Sequence, residues 1–259
     1  MKVGVSSACF YPVVNTEDSI ELMKKLGFEF GELFINAPSE YEDDFLQILK
    51  EEKEKYNFDI VSLHAFSTFF EIYLFDLHEK RRKDMMKYFK THCKFAKTLG
   101  AQYYTFHGVR CEKLTNQRLK FLKEIYEELA YIALENGVKL AQENVCWCQS
   151  KEIDFLSFLK EEIKSPIYFT LDLKQAYRAK ISLNQYLKVM GDRLVNIHIN
   201  DYKEDETCLL PGNGNVDYKK LFKSLQKQGY CGRTIIEVYG NNYKTYNELS
   251  QAKKFLEKI

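Results

Sequence analysis

The chain has 259 residues and a formal net charge of +1, with 45% apolar and 29% charged residues. Those proportions suit a globular protein with a substantial core, and the near-zero charge argues against a strongly basic nucleic-acid surface. No stretch approaches the roughly 20 apolar residues of a membrane span, and MKVGVSSACFYPVV carries no long apolar signal-peptide core; with seven irregularly spaced cysteines, which fit reduced thiols better than a disulfide framework, the expected setting is cytoplasmic.

Taken in chain order, short apolar runs alternate with longer charged segments. The runs are KVGVSSACF (2–10), FGELFIN (30–36), DIVSLHAF (59–66), AQYYTFHGV (101–109), KLAQENV (139–145), IYFTLDL (167–173), LVNIHIN (194–200) and TIIEVYG (234–240). Near-continuous apolarity suits strands covered on both faces, as in parallel sheets. Between 76 and 99, Met85, Phe89, His92, Ala96 and Leu99 make one helical stripe, with Asp76 and Glu79 reading as a capping box and Gly100 as the stop. Leu122, Ile125, Leu129 and Ile132 mark the next helix, ending near Gly137, and further helices fit 16–26, 43–56, 151–163, 182–191, 217–228 and 245–258. Eight strand–helix pairs over residues 1–259 predict an α/β fold of one domain, a (β/α)8 TIM barrel. A doubly wound sheet is the alternative, but no G-x-G-x-x-G follows any strand.

A barrel carries its active site at the carboxyl ends of its strands. Glu32, His64, His107, Glu143, Asp172, His198 and Glu237 interrupt late positions of seven runs. One such residue alone is usually a satisfied structural group; seven at the same end are harder to explain that way. Carboxylates buried together need a cation. Glu143, Asp172, His198 and Glu237 offer three oxygen ligands and one imidazole, a set for one divalent ion: Mn²⁺ or Mg²⁺ first, with Zn²⁺ or Co²⁺ also compatible. Lys174 and Arg178 follow Asp172 and could meet a substrate phosphate or carboxylate, or Arg178 could be a solvated helix charge. Trp147 could stack on a substrate ring or simply pack, and Phe66, Phe69, Phe70 and Tyr73 could wall a pocket or belong to the core. Cys146 and Cys148 read as free loop thiols, since no second pair shows zinc spacing. His78 and His92 sit in helical patterns and are not ligand candidates, and the PGNG turn lacks the features of a phosphate loop.

The strings GELF (31–34), SLHAF (62–66), QENV (142–145), LDLKQA (171–176), HINDYK (198–203), LPGNGNVDY (210–218) and IIEVY (235–239), in this order, resemble the xylose isomerase-like barrels nearly end to end. That superfamily includes sugar and sugar-phosphate epimerases and isomerases, inosose dehydratases and AP endonucleases. The resemblance implies that Glu143, Asp172, His198 and Glu237 bind the metal, and that Glu143 and Glu237 double as acid and base on opposite faces of a sugar or sugar phosphate. Two departures bear on the metal count. Gln175 stands where family members often have histidine, and KEDETCLLPGNG (203–214) lacks the Asp-x-His of the three-metal endonucleases. One cation is therefore expected, with His64, His107, Trp147, Lys174, Gln175 and Arg178 left to meet substrate. The rival readings are a keto-sugar dehydratase, an abasic-site nuclease with a nucleic-acid partner, and a sugar-binding barrel without turnover. A homo-oligomer is compatible with the sequence, which does not set the oligomeric state.

Overall fold

The computed structural model describes residues 2–65 and 70–259. Eight parallel strands close into a barrel: β1 (Val3–Ser6), β2 (Phe30–Ile35), β3 (Asp59–Ala65), β4 (Tyr103–Phe106), β5 (Lys139–Glu143), β6 (Tyr168–Asp172), β7 (Leu194–Ile199) and β10 (Arg233–Ile236). Closure comes from β10, which pairs with both β7 and β1. Two further strands, β8 (Asp201–Lys203) and β9 (Glu206–Leu209), form an antiparallel hairpin outside the barrel. The helices are α1 (Thr16–Lys25), α2 (Asp43–Lys55), α3 (Glu71–Leu74), α4 (Glu79–Leu99), α5 (Asn116–Glu135), α6 (Ile153–Glu162), α7 (Leu173–Ala179), α8 (Leu183–Met190), α9 (Tyr218–Lys227) and α10 (Asn247–Glu257). The main core joins strand residues such as Leu33, Leu63 and Leu140 to helix residues such as Leu49, Phe89 and Leu129. Burial of this kind supplies most of the driving force for folding, and it explains why each strand sequence reads as an almost unbroken apolar run.

All eight barrel strands fall on the predicted runs, but several ends differ. The first strand stops at Ser6, because the Ser6 hydroxyl accepts from Ala8 N and starts a 3-10 turn over Ser7–Phe10. The predicted capping box at Asp76 and Glu79 is not formed. Asp76 instead accepts from His78 N (2.7 Å) and Arg81 Nη1 (3.2 Å), and His78 is the residue that caps α4. Gly100 ends α4 with φ +84°, a left-handed conformation that costs glycine little. Leu173, read as the end of a strand, opens α7, because the Asp172 carboxylate caps that helix by accepting from Gln175 N. The segment 203–214, read as loop, contains β9 and the end of β8. Phe66 and Phe69 lie outside the described residues. Phe70 is core, packed edge-on to Tyr88 and His92, whereas Tyr73 is exposed. Among the described residues no helix is long and apolar enough to cross a membrane.

Candidate active site

The four residues of the expected ligand set meet at the carboxyl-terminal mouth of the barrel. Glu143 is the last residue of β5, Asp172 the last of β6 and His198 the penultimate of β7. Glu237 follows β10 directly, where its N–H still donates to Ile199 O at 3.2 Å. One ligand atom from each lies within 4.8 Å of the others, and all four side chains are buried. His198 Nδ1 faces Glu237 Oε2 at 3.4 Å, Glu143 Oε1 at 3.6 Å and Asp172 Oδ2 at 4.0 Å.

Beneath this quartet, Glu32 of β2 reaches across the barrel interior. Its Oε2 accepts from Ser62 Oγ (2.7 Å), Thr105 Oγ1 (2.9 Å) and Asn196 Nδ2 (3.3 Å), so β3, β4 and β7 all hold it. Its Oε1 lies 2.9 Å from His198 Nε2. Fixing one imidazole nitrogen in this way commits the other to the mouth, the arrangement by which outlying carboxylates orient metal-binding histidines. Asp172 is held as firmly. Asn144 accepts from its N–H (2.7 Å) and donates to its carbonyl (3.1 Å), while Asn200 Nδ2 donates to its Oδ1 (3.2 Å) and to Glu237 O (3.3 Å).

The two other predicted histidines line the same chamber. His64 Nδ1 is 3.4 Å from Glu237 Oε1 and 3.5 Å from Glu32 Oε1. Its Nε2 lies 2.8 Å from His107 Nε2, which is 3.1 Å from Glu143 Oε2. Lys174, on the first turn of α7, is buried with Nζ 3.1 Å from Asp172 Oδ2 and 3.2 Å from Glu237 Oε2. Gln175 is also buried, and its carboxamide oxygen accepts from Cys146 N. Trp147 is 43% exposed and edge-on to His107, which puts it at the rim. Arg178 is exposed and donates to Thr207 Oγ1 and Tyr239 Oη.

Burial would raise every carboxylate here, and neighbouring cations decide the outcome. For Glu32, His198 and His64 outweigh burial and hold the carboxyl down at about 2. Glu143 is held well below the usual carboxylate range against burial by His107 and His198, and Glu237 by His198 and Lys174. Asp172 is pushed up to about 6 by burial and by Glu143 and Glu237, with Lys174 opposing. Burial disfavours a charged His64, but Glu237 and Glu32 raise it to about 10; Glu237 and Glu32 likewise raise His198 despite burial.

The donor set fits a divalent ion on an independent observation. Asp172 Oδ2, Glu143 Oε2 and His198 Nδ1 are buried without an aligned hydrogen-bond partner among the described residues. These three atoms face charged neighbours without an aligned hydrogen bond, Asp172 Oδ2 at 3.1 Å from Lys174 Nζ, Glu143 Oε2 at 3.1 Å from His107 Nε2 and His198 Nδ1 at 3.4 Å from Glu237 Oε2. An ion taking the place of those neighbours would satisfy them. No cysteine joins these clusters among the described residues, and all seven thiols are free.

Some of the supporting residues were not predicted from the sequence. Glu71 of α3 is buried, accepts from Gly108 N (3.0 Å) and His107 N (3.4 Å), and is raised to about 7 by burial; it interrupts the apolar stretch FFEIYLF (69–75), a signal the strand-end reading did not use. Asn144 and Asn200 also left a signal: each follows a strand end that carries one of the expected ligand residues. Asp201 looks equally acidic in HINDYK, yet its oxygens accept from Tyr202, Gly212 and Val216 N–H groups and shape the 210–216 loop.

Fold and site together define an α/β-barrel protein with an acid- and histidine-lined mouth. The family model described as "Xylose isomerase-like TIM barrel" matches residues 20–259, and the chain belongs to that family. Among similar proteins, an inosose dehydratase of Histophilus somni is 24% identical over 207 residues, 67% of each chain. A fructoselysine 3-epimerase of Escherichia coli O157:H7 is 21% identical over 260 residues, covering 95% of this chain and 94% of its own. The crystal structure of a D-tagatose 3-epimerase-like protein superposes with a TM-score of 0.82 at 20% identity, over 100% of this chain and 96% of the other. An IolI protein with a bound zinc atom superposes with a TM-score of 0.80 at 21% identity, over 99% and 96%. The relatives thus include proteins named as epimerases and a dehydratase.

Proposed function

We propose that this chain is a divalent-metal-dependent sugar or sugar-phosphate epimerase or isomerase, acting by proton abstraction next to a carbonyl. The observation that carries the reading is the convergence of Glu143, Asp172, His198 and Glu237 within 4.8 Å, with Asp172 Oδ2, Glu143 Oε2 and His198 Nδ1 lacking an aligned hydrogen bond among the described residues. In the barrel order, β5 and β10 are separated by β6 and β7, so the two glutamates flank Asp172 and His198. A bound divalent ion, Mn²⁺ in our reading, supplies charge stabilisation for the enediolate.

This chain's residues then divide the remaining work. One glutamate takes the proton from the carbon beside the carbonyl, and the electron pair delocalises into the enediolate. The other glutamate delivers a proton from the opposite face to the same carbon, which inverts it; delivery to the neighbouring carbon exchanges aldose and ketose. Both carboxyls are held below the usual range, so each is ionised at neutral pH and can act as the base. The one that delivers first takes its proton from solvent, and the one that abstracts returns its proton there after the product leaves. His64 and His107 face the chamber and bind substrate hydroxyls, and Gln175 is assigned to substrate with them. Trp147 stacks at the rim, while Lys174 and Arg178 meet any anionic group.

The test is exchange of a substrate C–H proton into deuterated water across a panel of ketoses and their phosphates, with Mn²⁺, Co²⁺, Mg²⁺ or Zn²⁺. Exchange that depends on the metal and is lost in Glu143→Gln or Glu237→Gln is the expected result; no exchange with any pairing sinks the reading. The dehydratase relative favours a second reading, in which the same first abstraction is followed by loss of a β-hydroxyl. Product analysis for an unsaturated or deoxygenated product separates the two.

A further inference from the structure

We propose that Lys174 is a resident cation of this site, which competes with the divalent ion for Asp172 and Glu237. The inference rests on the metal-dependent reading above and goes beyond it by naming what must move before the ion binds. Lysine is almost never fully buried unless paired. Lys174 is 3% exposed, and both partners it has found belong to the ligand set. Its ammonium lies 3.1 Å from Asp172 Oδ2 and 3.2 Å from Glu237 Oε2. Those two oxygens are also among the atoms facing His198 Nδ1, at 4.0 and 3.4 Å.

The ammonium is therefore beside the place a metal would take. Two positive charges a few ångströms apart in a buried site repel strongly, so ion and ammonium cannot share these oxygens without loss. The geometry also shows why displacement is feasible. The contact to Glu237 is a hydrogen bond, whereas Asp172 Oδ2 has no aligned donor despite its proximity. Lysine is a point charge on a flexible stem. A partner independent of the carboxylates is already in place, since Lys174 Nζ lies over the Tyr239 ring, 4.9 Å from its centroid, a ring Arg178 also shares at 5.8 Å. Tyr239 is 43% exposed, and an ammonium drawn onto its face keeps a cation–π partner while leaving the carboxylates.

The experiment is calorimetric titration of the purified full chain with Mn²⁺ at one neutral pH, comparing wild type with Lys174→Met, Lys174→Gln and Lys174→Arg. Each variant is first checked for native secondary structure by circular dichroism. The neutral variants are expected to bind Mn²⁺ at least about tenfold more tightly, the equivalent of removing one modest competing interaction. Lys174→Arg keeps the charge and is expected to show no such gain. If Lys174 only holds Asp172 and Glu237 in place, its loss leaves affinity equal or weaker, and that result overturns the proposal while leaving the metal-dependent reading standing. The proposal also falls if both neutral variants unfold without metal, because the ammonium is then structural. No Mn²⁺ binding by wild type or by either neutral variant defeats the metal-dependent reading itself and this inference with it. Binding by the neutral variants alone is the strongest support.

Discussion

His92 and His198 are both buried, at 1% and 0% exposure, although one belongs to a charged helix and the other to an apolar strand. Their surroundings nevertheless hold them in opposite states. His92, between α4 and the barrel, stacks on Tyr41 at 3.5 Å, meets Phe70 and Tyr88 edge-on, and shares a hydrogen bond with Tyr104 Oη. None of these partners is an acid, and burial drives its pKa down to about 3. His198, inside the barrel mouth, is surrounded by Glu32, Glu143, Asp172 and Glu237, and the acids raise it well above its usual value against the same burial. Burial therefore says little about the use of a histidine. What separates core from site is how many strands aim a carboxylate at it.

The contrast can be broken or sharpened experimentally. The largest effect belongs to the acids: Glu143→Gln or Glu237→Gln is expected to slow substrate C–H exchange by about 10²–10⁴-fold, whereas His92→Phe leaves the exchange rate close to wild type. A comparable loss in His92→Phe, with the fold intact, would erase the distinction between the two regions.

Next in size is acid stability. The folded chain keeps His92 neutral down to about 3, while the unfolded chain takes up that proton below about 6.5. The unfolded state thus gains as pH falls through that window, and stability is lost there, by at most about 1.4 kcal/mol for each pH unit between the two values. Denaturant melts of wild type and His92→Phe should diverge between pH 6.5 and 3, with the variant losing less; parallel curves would show that burial does not govern this histidine.

Smaller again is the orientation of His198. Glu32→Gln is expected to weaken divalent-ion binding about 10–100-fold, read by calorimetry on a variant that circular dichroism shows to be folded, and to lower the thermal midpoint as well, because it breaks a buried charged pair. Unaltered affinity would mean that the packing of β7 alone aims the imidazole. Arg178→Ala should be the mildest change. Its bonds to Thr207 and Tyr239 are exposed, so thermal unfolding is expected to register less than about 1 kcal/mol. A larger cost would mark the α7–hairpin contact as part of the scaffold that holds the mouth.

The barrel was legible in the sequence because parallel strands buried on both faces must be apolar nearly throughout, and a polar residue near such a strand's end stands out. Glu143, Asp172 and His198 could be named on that ground, and Glu237 too, although it lies one residue past β10. The same logic failed at Asp172–Leu173, since an apolar residue after an aspartate suits a strand end and a capped helix start equally well. It also failed at 201–209, where a short exposed hairpin has no buried face to pattern its residues.

By itself, then, the sequence determined the strand–helix alternation, the eight-strand count of the barrel and the ligand-type residues at its mouth. It did so because burial and side-chain period leave a one-dimensional trace. Only the tertiary structure decided that Lys174 faces two carboxylates rather than open solvent, that Glu32 holds the far nitrogen of His198, that Asn144 and Asn200 clamp Asp172, and that Glu71 caps the turn after β4. Those pairings join residues on different strands and loops, and they depend on distances across a closed barrel, which no local pattern records.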